Sequence, residues 1–193
     1  MENNSTKLHL PTGGFMLEVM NELDEVWAQM LTEALAKARL SGNQDVAAYL
    51  ALKAGNDLVR QASVQWLFDA SLEIAAFANQ NEGRNIHIEN KNLHRFQFKD
   101  ATLAGSLLSL RQGVRCLTLE AGWTRTPSDG FMRGGALAVA RILHFGISKH
   151  NAELFLIREN NTPGWFFVDE NDRRKSFDSR NLNEHFQIFL GRN

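Results

Sequence analysis

Glu120, Asp129 and His144 are the side chains of this sequence best suited to acid–base work, and Arg125, Arg133 and Arg141 those best suited to an anion. All six fall within VRCLTLEAGWTRTPSDGFMRGGALAVARILHFGISKH, residues 114–150. Two carboxylates and an imidazole brought to one rim can exchange protons with a substrate or hold a divalent cation, which is the equipment of a hydrolase such as a metal-dependent phosphoesterase. A guanidinium instead presents a planar fork of N–H donors to a phosphate or carboxylate. Gly134 and Gly135, lacking side chains, let backbone amides approach such a group.

Each assignment has a plainer counterpart. Thr126-Pro127-Ser128-Asp129-Gly130 has proline and glycine where a turn wants them, so Asp129 reads first as turn chemistry. A lone Glu120 on a mixed strand face and a lone His144 beside Phe145 read as a solvated acid and a half-buried imidazole. Arg141 lies in an apolar alternation, where a charge requires a partner, and Glu120 or Asp129 can supply it. The connection from Trp123 to Gly134, about a dozen residues, is long for neighbouring strands, and loops of that kind often carry function. It lacks the G-K-[ST] of a phosphate-binding loop. His87 and Glu89 alternate away from His94, so no metal site is expected there, and no motif points to a particular cofactor.

The elements that must position these residues are legible from hydrophobic period. Residues 1–14 form a polar arm that ends at Pro11 and Gly13-Gly14. From Met16 to Leu35 apolar residues recur every three or four positions, the mark of an amphipathic helix. A second helical run starts near Asp45, a third pattern includes Val64, Leu67, Ser71, Ile74 and Ala78, and Gly55 either interrupts or weakens the second. Residues 15–80 thus predict a helical layer of two or three members, with the layer boundary near residue 82.

Beyond it the period becomes two. Ile86–Phe98 predicts a hairpin around Asn90-Lys91-Asn92 that sets Ile88 opposite His94 and Ile86 opposite Phe96. Residues 101–112 are open to helix or strand; as a strand turning at Gln112-Gly113 they place Leu108 opposite Leu117 and Ser106 opposite Leu119. That register gathers Leu108, Leu110, Leu117, Leu119, Ala121 and Trp123 on one face, with Ser109, Cys116, Thr118 and Glu120 on the other. Residues 135–145 are ambiguous too, and are taken as a strand whose Ala136, Ala138 and Ala140 offer a smooth seat for a helix. Two more strands follow at 153–158 and 165–168, then a solvated charged run, DENDRRKS, then a helix of about 181–190 capped through Glu184 and ended by Gly191. The expected fold is α+β: a helical layer at 15–80, a mainly antiparallel sheet of six or seven strands at 84–170, and one closing helix, in a single domain over 15–193.

Composition bounds the partners. With 44% apolar and 22% charged residues and no long apolar run, the chain has the make-up of a soluble, cytoplasmic protein and not of a membrane-spanning one. Its one cysteine, Cys116, excludes an internal disulfide. The formal net charge of −1 argues against indiscriminate nucleic-acid binding. Residues 1–80 hold 10 of the 22 acids but only 5 of the 21 bases, so an anionic small molecule or nucleic acid would prefer the second half. The preferred expectation is a binding or adaptor module, with a protein partner or a second copy at its helices and an anionic group at the Arg-bearing loop, about 123–134. The alternative is the hydrolase using Glu120, Asp129 and His144.

Overall fold

The computed structural model describes residues 14–192, with side chains from Val26 onward except those of Pro127 and Arg133. The polar arm expected over 1–14 therefore lies, but for Gly14, outside the described residues. The chain divides into two compact units, residues 1–51 and 52–193.

The first unit holds helix α1, Gly14–Leu40, and the opening turns of α2, Gln44–Glu82. Gly42 adopts a left-handed φ of 71°, which a glycine takes without steric cost and which ends α1. The cap of α2 is Asn43, whose Oδ1 accepts from the backbone N–H of Val46, so the helix begins one residue before the Asp45 start read from sequence. Helix α2 runs without a break for 39 residues, so there are two long helices here and Gly55 does not interrupt the second. Alanine and leucine around it supply enough helix propensity to carry one glycine.

The second unit is an antiparallel sheet of seven strands in sequence order, β1 to β7, joined by the rest of α2 and by α3. The strands are β1 His87–Phe98, β2 Ala101–Gln112, β3 Arg115–Trp123, β4 Ala138–His144, β5 Ala152–Glu159, β6 Thr162–Val168 and β7 Arg174–Phe177; α3 spans Ser179–Leu190. The architecture is α+β, with two N-terminal helices, the sheet and one C-terminal helix.

Alternation divides the sheet into a helix face and an open face. On the helix face Leu108, Leu110, Leu117, Leu119, Ala121 and Trp123 are buried as expected, against Val64, Leu67, Phe68, Ala75 and Ala78 of α2. Leu182, Phe186, Phe189 and Leu190 of α3 join the same core. Paired Ala121 and Ala140, with Ala138, are fully buried in this core, so the alanines of β4 serve as a smooth sheet surface and not as helix formers. The indole N–H of Trp165 donates to the carbonyl of Ser63 on α2 at 3.0 Å, so the buried ring keeps its hydrogen bond.

Several sequence expectations change in detail. Residues 87–98 make one strand, not a hairpin: the Asn90-Lys91-Asn92 run is absorbed by a bulge between Lys91 and His94. Ile86 and Phe96 consequently go to separate cores instead of facing each other. The β2–β3 turn lies at Gly113-Val114, so Leu108 pairs with Leu119 and Ser106 with Ala121. This moves the expected register by two residues, which preserves every face. The charged run hides a seventh strand, β7, whose register with β6 aligns Trp165 with Phe177. Helix α3 starts earlier than predicted, capped by Asp178 with Asn181, not Glu184, as the reciprocal partner, and Gly191 ends it in the left-handed conformation.

Candidate functional site

The open face carries the polar centre of the second unit. Glu120 of β3 and Arg141 of β4 are register partners, and Arg141 Nε donates to Glu120 Oε1 at 2.7 Å while Nη2 contacts the same oxygen. The other carboxylate oxygen lies 2.7 Å from Nε2 of His94. Glu120 is only 5% exposed, so it meets the requirement that a buried charge be paired and hydrogen-bonded. The partner expected for Arg141 is thus in place, and His94 is an addition the sequence reading had turned the other way.

Room for this triad comes from two glycines. Gly105 and Gly122 are paired across β2 and β3, and Gly105 lies opposite His94. A Cβ on Gly105 would collide with the carbonyl of Ala121, and one on Gly122 would come within 2.8 Å of the Ala104 carbonyl oxygen. The strands approach too closely there for any side chain. Larger neighbours lean over the gap: the Arg141 guanidinium lies 5.2 Å from the ring centre of Phe96, and His94 stacks on the same ring at 5.5 Å.

Beside the triad lies a small second core of Phe96, Phe98, Ala101, Leu103 and Val139, with Met132 and Phe155 against it. It is open at one side. Phe98, Lys99, Asp100, Ala101, Phe131, Met132, Val139 and Phe155 line a shallow depression open to solvent. Phe131 stands at its edge 84% exposed, and Lys99 Nζ lies 5.3 Å from the Phe98 ring centre.

The long connection from Thr124 to Leu137 frames this depression. At its start the Arg125 guanidinium lies 4.0 Å from the ring centre of Trp123. Asp129 Oδ2 then accepts from the backbone N–H groups of Arg125 and Thr126 and from the Thr126 hydroxyl, while Oδ1 accepts from Arg95 at 2.8 Å. The Thr126 hydrogen bonds hold the Asp129 carboxyl below its ordinary range. Its acceptors are committed to its own loop and to Arg95 of β1. Gly130 follows at φ 94° against Asp100 and Ala101, carrying the chain over the strand ends to Phe131 and Met132. Gly134 and Gly135 both have positive φ, 70° and 72°, with open space where a Cβ would stand, so their backbone is approachable. The Leu137 carbonyl is tied to α2 by Arg60 Nε at 2.8 Å.

His144 is elsewhere. Its register partner is Leu117, which puts it on the helix face, while Glu120 points to the open face. The expected acid–base pair at one rim therefore does not form: Glu120 lies three positions beyond Leu117, the partner of His144, and an odd offset along a strand sends the two to opposite sides. Among the described residues, no group of three or more His, Cys, Asp or Glu is arranged to hold a metal ion. Among the same residues, no helix is long and apolar enough to cross a membrane.

Of the residues singled out from sequence, the structure joins Glu120 with Arg141. It leaves Asp129, Arg125, Gly134 and Gly135 along the framing connection, with Arg133 between them in the chain. The lining residues Phe98, Lys99, Phe131, Met132 and Phe155 were not singled out. The one available signal was Phe131, an apolar residue inside a polar connection. Comparison with protein-family models, curated proteins and solved structures gives no match.

Proposed function

We propose that this chain is a binding module whose ligand combines an apolar body with an anionic group. The apolar body occupies the depression, and the anionic group meets Lys99 in its lining and the approachable backbone of Gly134 and Gly135 further along the Arg-bearing connection, while Arg125 stays over Trp123 on the helix face. The observation that carries this reading is the depression itself, because a phenylalanine left 84% exposed at the edge of an apolar hollow costs solvation unless something covers it. Arg141 is assigned to holding the open face together, since Glu120 already matches its charge. The same chemistry serves a free amphipathic anion or an acidic, apolar segment of a protein partner. A cytoplasmic setting belongs to the proposal, supported by a sequence with a single cysteine. The hydrolytic alternative has less behind it, because Glu120 and His144 lie on opposite faces and Asp129 is engaged by its own loop.

The test uses 8-anilino-1-naphthalenesulfonate beside N-phenyl-1-naphthylamine, which has the same rings without the sulfonate. At a ceiling of about 0.3 kcal/mol per non-hydrogen atom the sulfonate probe should bind with a Kd no tighter than the order of tens of micromolar. It should bind several-fold tighter than the neutral analogue, with the difference shrinking as salt rises. Lys99→Ala should remove that difference and leave the neutral probe unchanged. Equal affinity for both probes at low salt would overturn the anionic half of the proposal, and no binding of either would overturn the whole. Displacement of the sulfonate probe by an acidic peptide but not by octanoate would point to the protein partner as the source.

A further inference from the structure

A second group of titratable side chains lies on the helix face, away from the depression. His144 ends β4 almost wholly buried, and its Nε2 lies 2.9 Å from Nδ1 of His185 on α3, with the rings near-parallel at 5.2 Å. A third imidazole, His150, stands at the end of the short turn Ser148–His150, 6.1 Å from His144 between ring centres. On its other side His185 meets Phe177 of β7 at 6.1 Å. The backbone N–H of His144 donates to Asn151 Oδ1.

Two facing imidazole nitrogens can share a single proton. One must be the N–H donor and the other the lone-pair acceptor, so the contact at 2.9 Å exists only while both rings are neutral or one proton lies between them. With both rings protonated, two N–H groups and two positive charges oppose each other in a site closed by Phe177 and the core. We propose that the His144–His185 pair is an acid-operated latch on α3: neutral, it holds the helix to the sheet, and doubly protonated, it drives the helix away.

The surroundings give the added charge no relief. The titratable and charged groups about the pair are His144 from β4, Lys149 and His150 from the turn, and His185 from α3; β7 contributes Phe177. Arg115 of β3 is engaged further along, at the carbonyls of Ile188 and Phe189. Burial first, and then the neighbouring imidazoles, push both His144 and His185 down to about 4 from the ordinary 6.5. Because the docked pKa lies below the released one, docking is unaffected above 6.5 and is lost progressively as pH falls from there towards 4. At pH 5 a single imidazole moved from 6.5 to about 4 shifts the docking equilibrium about 30-fold. Helix α3 follows all seven strands, so it can leave the sheet without breaking a ladder hydrogen bond.

The experiment is hydrogen exchange on the full chain at pH 7 and pH 5, corrected for the intrinsic rate, comparing α3 amides with those of β3 and β4. The latch predicts that α3 loses protection at least 10-fold relative to the strands, and that a His144→Phe/His185→Phe double variant loses this pH dependence. Parallel loss in α3 and strands, unchanged α3 protection at pH 5, or the same pH dependence in the double variant would overturn it. Should the double variant fail to fold, imidazole titration by NMR on the natural sequence decides: midpoints below about 5 for both rings support the latch, and midpoints near the ordinary 6.5 overturn it.

Discussion

The two faces of the sheet are built by opposite rules. Beneath α2 and α3 the helix face is closed by apolar packing, with fully buried leucines, alanines and Phe186, and its polar groups are backbone-satisfied or neutral, as Ser71 bonded to the Leu67 carbonyl and the His144–His185 pair are. The open face instead mixes a clamped ion triad with a small apolar core that stays uncovered at the depression. The contrast teaches where on the sheet to look for function. The helix face is finished by its own chain, whereas the open face leaves an exposed phenylalanine beside a hollow, which is the surface the proposed ligand would cover.

The sharpest way to break this contrast is to empty each face in turn. Phe186→Ala on the helix face should cost about 3–5 kcal/mol, because its fully buried ring leaves a cavity where three elements meet. Urea unfolding measures it, and a loss below about 1 kcal/mol would mean that the helix face is not the main source of stability. Next in size is Arg141→Ala. It strands the buried Glu120 carboxylate, but the arginine is itself partly exposed and His94 remains, so roughly 2–3 kcal/mol is expected. Arg141→Met with Glu120→Leu should recover most of that loss, since an apolar pair of similar volume removes the stranded charge; no recovery would show that the triad does more than satisfy itself.

Smaller effects separate the framing connection from both cores. Arg125→Ala should cost up to about 1 kcal/mol, the worth of a cation over an indole, since the guanidinium covers Trp123. Phe131→Ala should change stability by less than about 0.5 kcal/mol, because an exposed ring contributes little to folding, while weakening the naphthyl probe several-fold. If melting shifted more than binding at Phe131, the residue would belong to the fold and the depression would lose its edge.

How far all this was legible follows from parity. The Val64, Leu67, Ser71 and Ala78 stripe was readable because a helix period survives any local error. The β2–β3 faces were readable even with the turn misplaced by one residue, since the register moved by two and kept every side chain on its side. Strand β1 was not, because the bulge between Lys91 and His94 takes up residues that look like a turn, and only after that bulge does His94 fall on the same face as Glu120. Strand β7 was hidden by charge, its Arg174 and Lys175 being exposed side chains that mask the backbone ladder. For the site, Arg141 announced its partner by being a charge in an apolar alternation. The depression gave no such notice: Phe98 and Phe155 lie on β1 and β5, which are not neighbours in the sheet order, and Phe131 on a connection that crosses the strand ends, so no local pattern sets them side by side.

The most direct measurement is an amide NMR titration of the full chain with 8-anilino-1-naphthalenesulfonate at neutral pH. Shifts confined to Phe98–Ala101, Phe131–Gly135, Val139 and Phe155, with α2 and α3 unmoved, are the result expected of an open face that binds and a helix face that is complete. Shifts centred on α2 or α3, or spread evenly across both faces, would contradict it.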